Sequence, residues 1–200
     1  MFYKLQKFFN YWRWWLNASN SKGHGMHSPF VFDFIINVLN DDRVFYAFKQ
    51  IETVYNQIKS QKKTNRLLFK MVDYYQPKNI INIETKKTIL AEYLSAANPL
   101  IPIKAVDNGD DVLVKSVMKE LVKVGFVICN NSDFFYDFLP FVDNNSFLII
   151  KDIYANKETQ TSWQTIKNHT SVKATIDLFH FGIVLFNQDF KAKQHFKVRF

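Results

Sequence analysis

The sequence predicts an α/β protein with one mainly parallel β-sheet. Short apolar runs rich in β-branched residues alternate with stretches of helical periodicity along most of the chain. The clearest unit covers residues 79–97, where an apolar run is followed by a short loop and then by a helical stretch. Asn98 and Pro99 end that stretch. Strands that alternate with helices in this way are typical of parallel sheets with helices packed on them.

The loop of this unit, residues 84–87, has the sequence Glu-Thr-Lys-Lys and contains no glycine. In nucleotide-binding units the corresponding loop contains glycines, because the backbone has to come close to a ligand at the helix N-terminus. The sequence therefore predicts the fold of a nucleotide-binding unit without the usual binding loop.

The same stretch resembles motif I of the class I S-adenosylmethionine (SAM) dependent methyltransferases. It is most similar to a group of small bacterial (Bacteroidetes-type) members, in which a strand is followed by E-L-G-T, a second glycine and a helix. The strings GHGMHSPFVFDF, TIDLF and GIVLF also match this group, so the resemblance covers nearly the whole chain. It implies a Rossmann-like three-layer sandwich with a mainly parallel sheet, an antiparallel C-terminal strand and N-terminal helices. The chain is shorter than the group before residue 124, which implies the loss of one edge strand.

The resemblance places altered residues at most of the SAM-binding positions. Asn82 stands where the group has an acid, and Glu84 and Thr88 stand at its two glycines. Asp107, after the second predicted strand, matches the acid that would contact the ribose hydroxyls. The sequence Asp-Asn-Gly-Asp is also ordinary turn chemistry. After the next strand, Asn130 replaces the Asp of the group.

One catalytic candidate remains after the following strand. The group has D-D-I-H-W there, and this chain has Lys-Asp-Ile-Tyr from Lys151 onward. Two carboxylates at a strand end could hold a divalent cation or accept a proton. Because Lys151 replaces the first of them, we expect it to form a solvated surface pair with Asp152. Asp152 is then the remaining candidate for catalysis.

Histidine and cysteine residues do not indicate a metal site. His24 and His27 lie in a polar stretch just before a helix that Ser28 and Pro29 are expected to begin. A zinc site needs three or four protein ligands, and no nearby Cys or carboxylate pattern completes one. We therefore expect hydrogen-bonded loop histidines and no metal. The single Cys129 lies in an apolar run and is expected to be a buried thiol, as in cytoplasmic proteins.

The formal net charge of +8 comes from the two ends of the chain. The cations that precede the first acid or follow the last one are Lys4, Lys7, Arg13, Lys22, Lys191, Lys193, Lys197 and Arg199. Two solvated basic termini are the plain interpretation, although a basic surface can also attract nucleic acid or anionic lipid. No stretch has the length of a membrane span and the N-terminus does not match a signal peptide. We expect a cytoplasmic protein, with peripheral membrane contact as an open alternative.

Residues 2–17 are predicted to form an aromatic helix. Its apolar stripe has a three-four spacing and consists of Phe2, Leu5, Phe9, Trp12 and Leu16. Tyr3 and Trp14 lie off this stripe and are expected to be exposed. Three interpretations stay open: a helix docked on its own domain, a helix at a membrane interface, or a contact with a protein partner or a second subunit.

A second helix is predicted over residues 44–59, followed by a break at residues 60–63 and a new helix from Thr64. We place the boundary between two regions at this break. An N-terminal helical region then covers residues 1–63, and the methyltransferase-like α/β domain covers residues 64–200. Both are expected to pack as one globular unit.

Three functions are compatible with the sequence. The first is a methyltransferase-family protein whose SAM site has decayed and which acts as a non-catalytic binding or structural module. The others are an active SAM-dependent methyltransferase and a basic protein that binds nucleic acid or a membrane surface. Glu84 favours the first, because it adds a side chain and a negative charge where backbone should approach SAM and its carboxylate. SAM is expected as a cofactor only if the protein is active.

Overall fold

The computed structural model describes residues 2–19, 27–84, 89–107, 110–120, 122–130 and 132–200, with the side chains of residues 2–9, 111, 112, 118 and 119 outside that description. The helices of the described chain are α1 (Phe2–Asn17), α2 (Pro29–Phe34), α3 (Tyr46–Val54), α4 (Lys59–Tyr75), α5 (Leu90–Ala97), α6 (Asp111–Lys119), α7 (Phe134–Phe138) and α8 (Lys157–Asn168). Its strands are β1 (Ile80–Ile83), β2 (Ile103–Val106), β3 (Phe126–Cys129), β4 (Phe147–Lys151), β5 (Ala174–Asp177), β6 (Phe181–Leu185) and β7 (Gln194–Lys197). A π-helical turn, Ile35–Leu39, continues α2, and a 3-10 turn, Leu139–Phe141, follows α7.

The described strands form a single sheet in the order β2-β1-β3-β4-β6-β5-β7. Strands β2, β1, β3 and β4 are parallel, whereas β6 is antiparallel to both β4 and β5. This confirms the predicted fold class, a mainly parallel sheet with an antiparallel strand near the C-terminus. In the described part of the chain no strand lies beyond β2, the edge at which the resemblance implies a lost strand. Strand β7, which was not predicted, adds a parallel strand at the other edge.

Helices cover both faces of the sheet, so the molecule is the predicted three-layer sandwich. Ile80 and Phe126 belong to a core cluster shared with α2, α4 and α5. Their neighbours Ile81 and Val127 belong to a second core cluster on the other face of the sheet, which α6, α7 and α8 cover. A strand that is buried on both faces is apolar at nearly every position, which is why β3 appears in the sequence as a continuous apolar run and β1 as one interrupted only by Asn82.

Local sequence signals explain several element boundaries. Ser28 is the N-cap of α2, and its Oγ accepts a hydrogen bond from the backbone N–H of Val31 at 3.4 Å, as predicted. Asn156 and Thr159 form a reciprocal capping box at the start of α8. Gly182 lies within β6, which pairs with β5 in the C-terminal hairpin. A Cβ atom there would lie 2.4 Å from the ring of Trp163, so close packing of α8 on the sheet requires this glycine.

The predictions for residues 44–63 were wrong in two respects. Helix α3 is shorter than predicted and has no buried residue, and Val44 is 88% exposed beyond its N-terminus. No break occurs at residues 60–63, because α4 begins at Lys59. The polar run that indicated a break forms the outer face of α4. The predicted boundary after Lys63 therefore falls inside a continuous helix.

The prediction for α1 was right in extent and wrong in orientation. Trp12 and Leu16, assigned to the buried stripe, are each 54% exposed, whereas Trp14, expected to be exposed, is 3% exposed. The indole Nε1 of Trp14 donates a hydrogen bond to Asp177 Oδ1 at 2.8 Å, and its ring lies 5.4 Å from that of Phe179. This polar anchor decides which face of an all-round aromatic helix docks. No described helix has the length and hydropathy needed to cross a membrane.

Candidate functional site

The carboxyl ends of the parallel strands bring most of the predicted site residues to one edge of the sheet. In the strand register, Val106, Ile83, Cys129 and Ile150 form one row of paired positions across β2, β1, β3 and β4. The next row along the chain direction therefore consists of Asp107, Glu84, Asn130 and Lys151. Ligands of open parallel sheets bind at this edge. Thr88 lies outside the described residues.

An ion pair joins the ends of two strands of this row. Lys151 Nζ donates a hydrogen bond to Glu84 Oε1, and the Glu84 side chain is only 3% exposed. The other carboxylate oxygen, Glu84 Oε2, accepts a hydrogen bond from Asn82 Nδ2 at 3.4 Å. The prediction that Lys151 pairs with Asp152 is therefore wrong. Instead, Lys151 compensates the charge of Glu84, two strands away.

Two buried oxygen atoms at the same edge have no hydrogen-bond partner among the described residues. They are the side-chain oxygens Asn82 Oδ1 and Asn130 Oδ1, at the ends of β1 and β3. Buried polar atoms in folded proteins are nearly always satisfied, so such atoms indicate a place where a donor could bind. Both are neutral amide oxygens and provide no charge for a cationic group.

Asp152, the catalytic candidate, is exposed and lies just beyond β4 with a φ angle of 54°. This left-handed backbone is unusual for a residue other than glycine, although Asp tolerates it better than most. The backbone N–H of Asp152 donates to the carbonyl of His180 at 2.7 Å, which holds the turn. Among the described residues no side chain hydrogen bonds to the Asp152 carboxylate. The described residues therefore place neither a general base nor a nucleophile against the Asp152 carboxylate.

A cavity of about 270 Å³ lies beside this turn. Its walls come from the end of β4, from His180 and from the start of α4, with lining residues Ile58, Ser60, Gln61, Thr64, Asn65, Lys151, Asp152 and His180. Helix α4 therefore forms a side wall of the site. The described residues contain no group of three or more His, Cys, Asp or Glu side chains that could hold a metal ion. His24, one of the two histidines considered above, lies outside the described residues.

Asp177 is a buried carboxylate that the sequence predictions missed. It ends β5 and accepts hydrogen bonds from Trp14 Nε1, from the Tyr154 hydroxyl at 2.6 Å and from the backbone N–H of Phe179 at 3.0 Å. Burial raises the pKa of the Asp177 carboxyl above its ordinary value, against the lowering effect of these donors. Its position in the string TIDLF, after a strand, was the available signal. Its role is to anchor α1.

Comparison by sequence does not place the chain, because no family model and no curated protein matches it. Comparison by structure shows its fold. One similar structure is the SAM complex of the O-methyltransferase TomG from Streptomyces achromogenes, which is involved in tomaymycin synthesis. The match covers 72% of this chain and 91% of the TomG chain, with a TM-score of 0.52 and 10% sequence identity. The fold is that of a class I methyltransferase.

Two further solved structures agree with this fold. The SAH-bound methyltransferase PaMTH1 from Podospora anserina covers 82% of this chain and 98% of its own, at a TM-score of 0.54 and 7% identity. A putative O-methyltransferase from Klebsiella pneumoniae covers 75% of this chain and 94% of its own, with a TM-score of 0.50 and 8% identity. At these identities the similarity concerns the fold alone.

Proposed function

We propose that this chain is a methyltransferase-fold protein whose SAM site has decayed, and that it acts as a non-catalytic binding or structural module. The observation that supports this most directly is the buried ion pair between Glu84 and Lys151. In a Rossmann-like site the backbone at position 84 has to approach the ligand closely, and glycine allows this. Here that position has a carboxylate fixed in place by Lys151 and Asn82.

The energetics of the pair explain why it would exclude SAM. Binding would require the Glu84 side chain to leave its position, which would leave the partly buried Lys151 ammonium without its partner; removing one partner of a fully buried pair costs about 3–5 kcal/mol, and this sets the upper range here. A loss of that size weakens binding by about 10²- to 10⁴-fold, which moves a micromolar ligand towards the millimolar range. If Glu84 stayed in place, its charge would repel the carboxylate of SAM in a partly dry cleft. The residues present at this edge therefore do not fit SAM.

The second candidate function is an active SAM-dependent methyltransferase. Asp107 at the end of β2 and the unsatisfied oxygens of Asn82 and Asn130 favour it, since they could accept hydrogen bonds from a ligand. A direct binding measurement separates the two functions.

We expect neither SAM nor its demethylated product, SAH, to bind with micromolar affinity. Isothermal titration calorimetry of the purified protein should give only the heat of dilution. A micromolar dissociation constant for either compound would reject the decayed site and support the enzyme instead.

A repaired variant serves as the positive control. The combined change Asn82→Glu, Glu84→Gly and Thr88→Gly removes the blocking side chain and supplies a new carboxylate near Lys151, so the folded variant should gain affinity for SAM. Circular dichroism checks that it is folded. A folded variant that still fails to bind would assign the loss to the shape of the cleft at the β2 edge.

We further propose that α1 contacts an anionic membrane surface. Trp12, Trp15 and Leu16 are exposed on this helix, and the exposed Arg13 lies among them. The basic C-terminal segment runs alongside, because Arg199 lies 3.8 Å from the centre of the Trp15 ring and donates to its carbonyl. Arg13 and Arg199, one from each basic end of the chain, thus lie beside an exposed aromatic surface, which suits lipid headgroups and their boundary with the acyl chains.

Replacing Trp12 and Leu16 by Ser should weaken sedimentation with vesicles of phosphatidylglycerol and phosphatidylcholine by at least about tenfold, because two apolar side chains lose their burial. The matched control is Leu100→Ser with Val122→Ser, which removes two side chains that are 89% and 88% exposed elsewhere. Wild-type binding should weaken as salt increases. Wild-type protein that does not sediment with the vesicles would contradict this proposal. If light scattering instead shows that the wild type self-associates and that the α1 variant does not, the surface is a contact with a second copy of the chain.

A further inference from the structure

Helix α4 has a basic stripe over its first twelve residues, from Lys59 to Lys70. Lys59, Lys62, Lys63, Arg66 and Lys70 follow a spacing of three, four, seven and eleven residues from the first, which places them on one face. The opposite face is buried against the core through Leu68, Met71 and Val72, among others. The part of the sequence between the two basic ends has equal numbers of acidic and basic residues. The net charge of the chain therefore does not reveal this stripe, which lies within that part.

The stripe forms one side of a groove of about 490 Å³. The groove is lined by the five cations of the stripe and by Leu39, Glu52, Leu67 and Phe200. Glu52 is the one acidic side chain among them. Arg66 binds it through two hydrogen bonds of 2.7 Å, and Lys62 lies 3.8 Å from it. The groove thus has a large surplus of positive charge.

The surplus is concentrated at the start of α4. In the described part of the chain no carboxylate lies within 4.0 Å of the ammonium of Lys59 or Lys63. The Lys63 ammonium lies 4.3 Å from the centre of the Phe200 ring, and partial loss of water there, with repulsion from Lys59, lowers its pKa. At the other end, Lys70 donates to the carbonyl of Asp41 and has acidic neighbours.

This arrangement is unfavourable for the helix itself. The first turn of α4 contains no acid, and its N-cap residue Ile58 makes no side-chain capping hydrogen bond. Lysines at this end meet the positive pole of the helix dipole, where carboxylates are the stabilising residues. They also repel one another at spacings of three and four residues. Residues that lower local stability and form no contact that compensates for it are typical of a binding surface.

We propose that the groove beside α4 binds the phosphate backbone of a nucleic acid. The cations repeat at each helical turn over about 16 Å, at 1.5 Å per residue, so they offer successive contacts to a linear polyanion. Its apolar lining residues Leu39 and Leu67 are buried, and Phe200 is half-buried, so none projects far enough to insert into lipid. In this the groove differs from the exposed aromatic surface of α1. The inference does not depend on whether the cleft at the strand ends binds SAM.

The test compares two triple variants by fluorescence anisotropy with a labelled 15-nucleotide single strand and its duplex, over a range of salt concentrations. In the first variant Lys59, Lys62 and Lys63 are replaced by Gln. The control replaces three exposed lysines elsewhere, Lys78, Lys115 and Lys157, by Gln, and so has the same net charge. Because α4 should gain stability from the first set of changes, a loss of binding would not reflect unfolding, and the thermal midpoint checks this.

We expect the wild type and the control to bind with a clear salt dependence. The α4 variant should bind about 100-fold more weakly at 0.1 M salt, with the slope of log K against log salt reduced by about 2, since each lost phosphate contact on a single strand contributes about 0.7. Equal losses in both variants would mean that net charge alone attracts the strand. That result would overturn the proposal. Two other results would also overturn it: wild-type protein that binds neither nucleic acid, or wild-type protein that binds anionic vesicles and no nucleic acid.

Discussion

Lys151→Met is expected to lower the free energy of unfolding by about 3–5 kcal/mol. The change leaves the carboxylate of Glu84 buried at the end of β1 without its cation, and removal of one partner of a buried pair costs this much. The side chains of Met and Lys have similar volumes, so packing should change little. Urea denaturation followed by circular dichroism measures the effect.

The double variant Glu84→Gln with Lys151→Met is the control for this prediction. It removes both charges, and a buried pair replaced by neutral residues of similar volume often costs nothing. We therefore expect it to recover most of the lost stability. Similar stabilities of wild type and Lys151→Met would mean that Glu84 reaches water or another partner. In that case the barrier to a ligand in the cleft would be far smaller than proposed.

Sequence reasoning worked best where one local signal decides the structure. The runs that became β1 and β3 are buried on both faces, and few other arrangements accept four apolar residues in a row, as in β3, or three of four, as in β1. Ser28 and Pro29 fix the start of α2 through the chain's own hydrogen bonding.

Prediction from the sequence failed where the structure depends on a contact with a residue that is distant in sequence. The orientation of α1 depends on Asp177, which is 163 residues away from Trp14, and periodicity cannot select a face on a helix that is aromatic all round. The start of α4 was missed because a lysine-rich run without a capping residue resembles a loop. The spacing of those lysines was nevertheless helical, and it was the signal that could have corrected the prediction.

At the candidate site the structure brings four of the predicted residues together, and one of them had been paired wrongly. Glu84, Asp107, Asn130 and Lys151 do lie side by side, because parallel strands end at one edge of the sheet. Pairing Lys151 with its neighbour Asp152 ignored the row of strand ends that the registers of β1 with β3 and of β3 with β4 create. A signal was present: the chain departs from the resembling group by a new acid at 84 and a new base at 151. Opposite charges that replace neutral or acidic residues at nearby strand ends of one sheet indicate a compensating pair.

Asp177→Ala is expected to destabilise the protein by at least about 3 kcal/mol and to release α1. Three buried donors lose their acceptor at once, and each unsatisfied donor costs about 1–3 kcal/mol. Limited proteolysis after Arg13 should become faster as α1 undocks. Trp14→Phe is the matched control, because it retains the ring against Phe179 and removes a single donor, so its loss should be smaller.

Asp177→Asn separates the hydrogen bonds from the charge. The amide oxygen can still accept from Trp14 and Phe179, so we expect a stability within about 1 kcal/mol of the wild type. Because burial raises the pKa of Asp177 above its ordinary value of 3.8, its contribution is fully present below that pH and is lost as the pH rises through the folded pKa. The stability of the wild type relative to Asp177→Asn should therefore decrease from pH 3.8 upward. A difference that grows with pH would show that the three donors stabilise the charge more than burial penalises it.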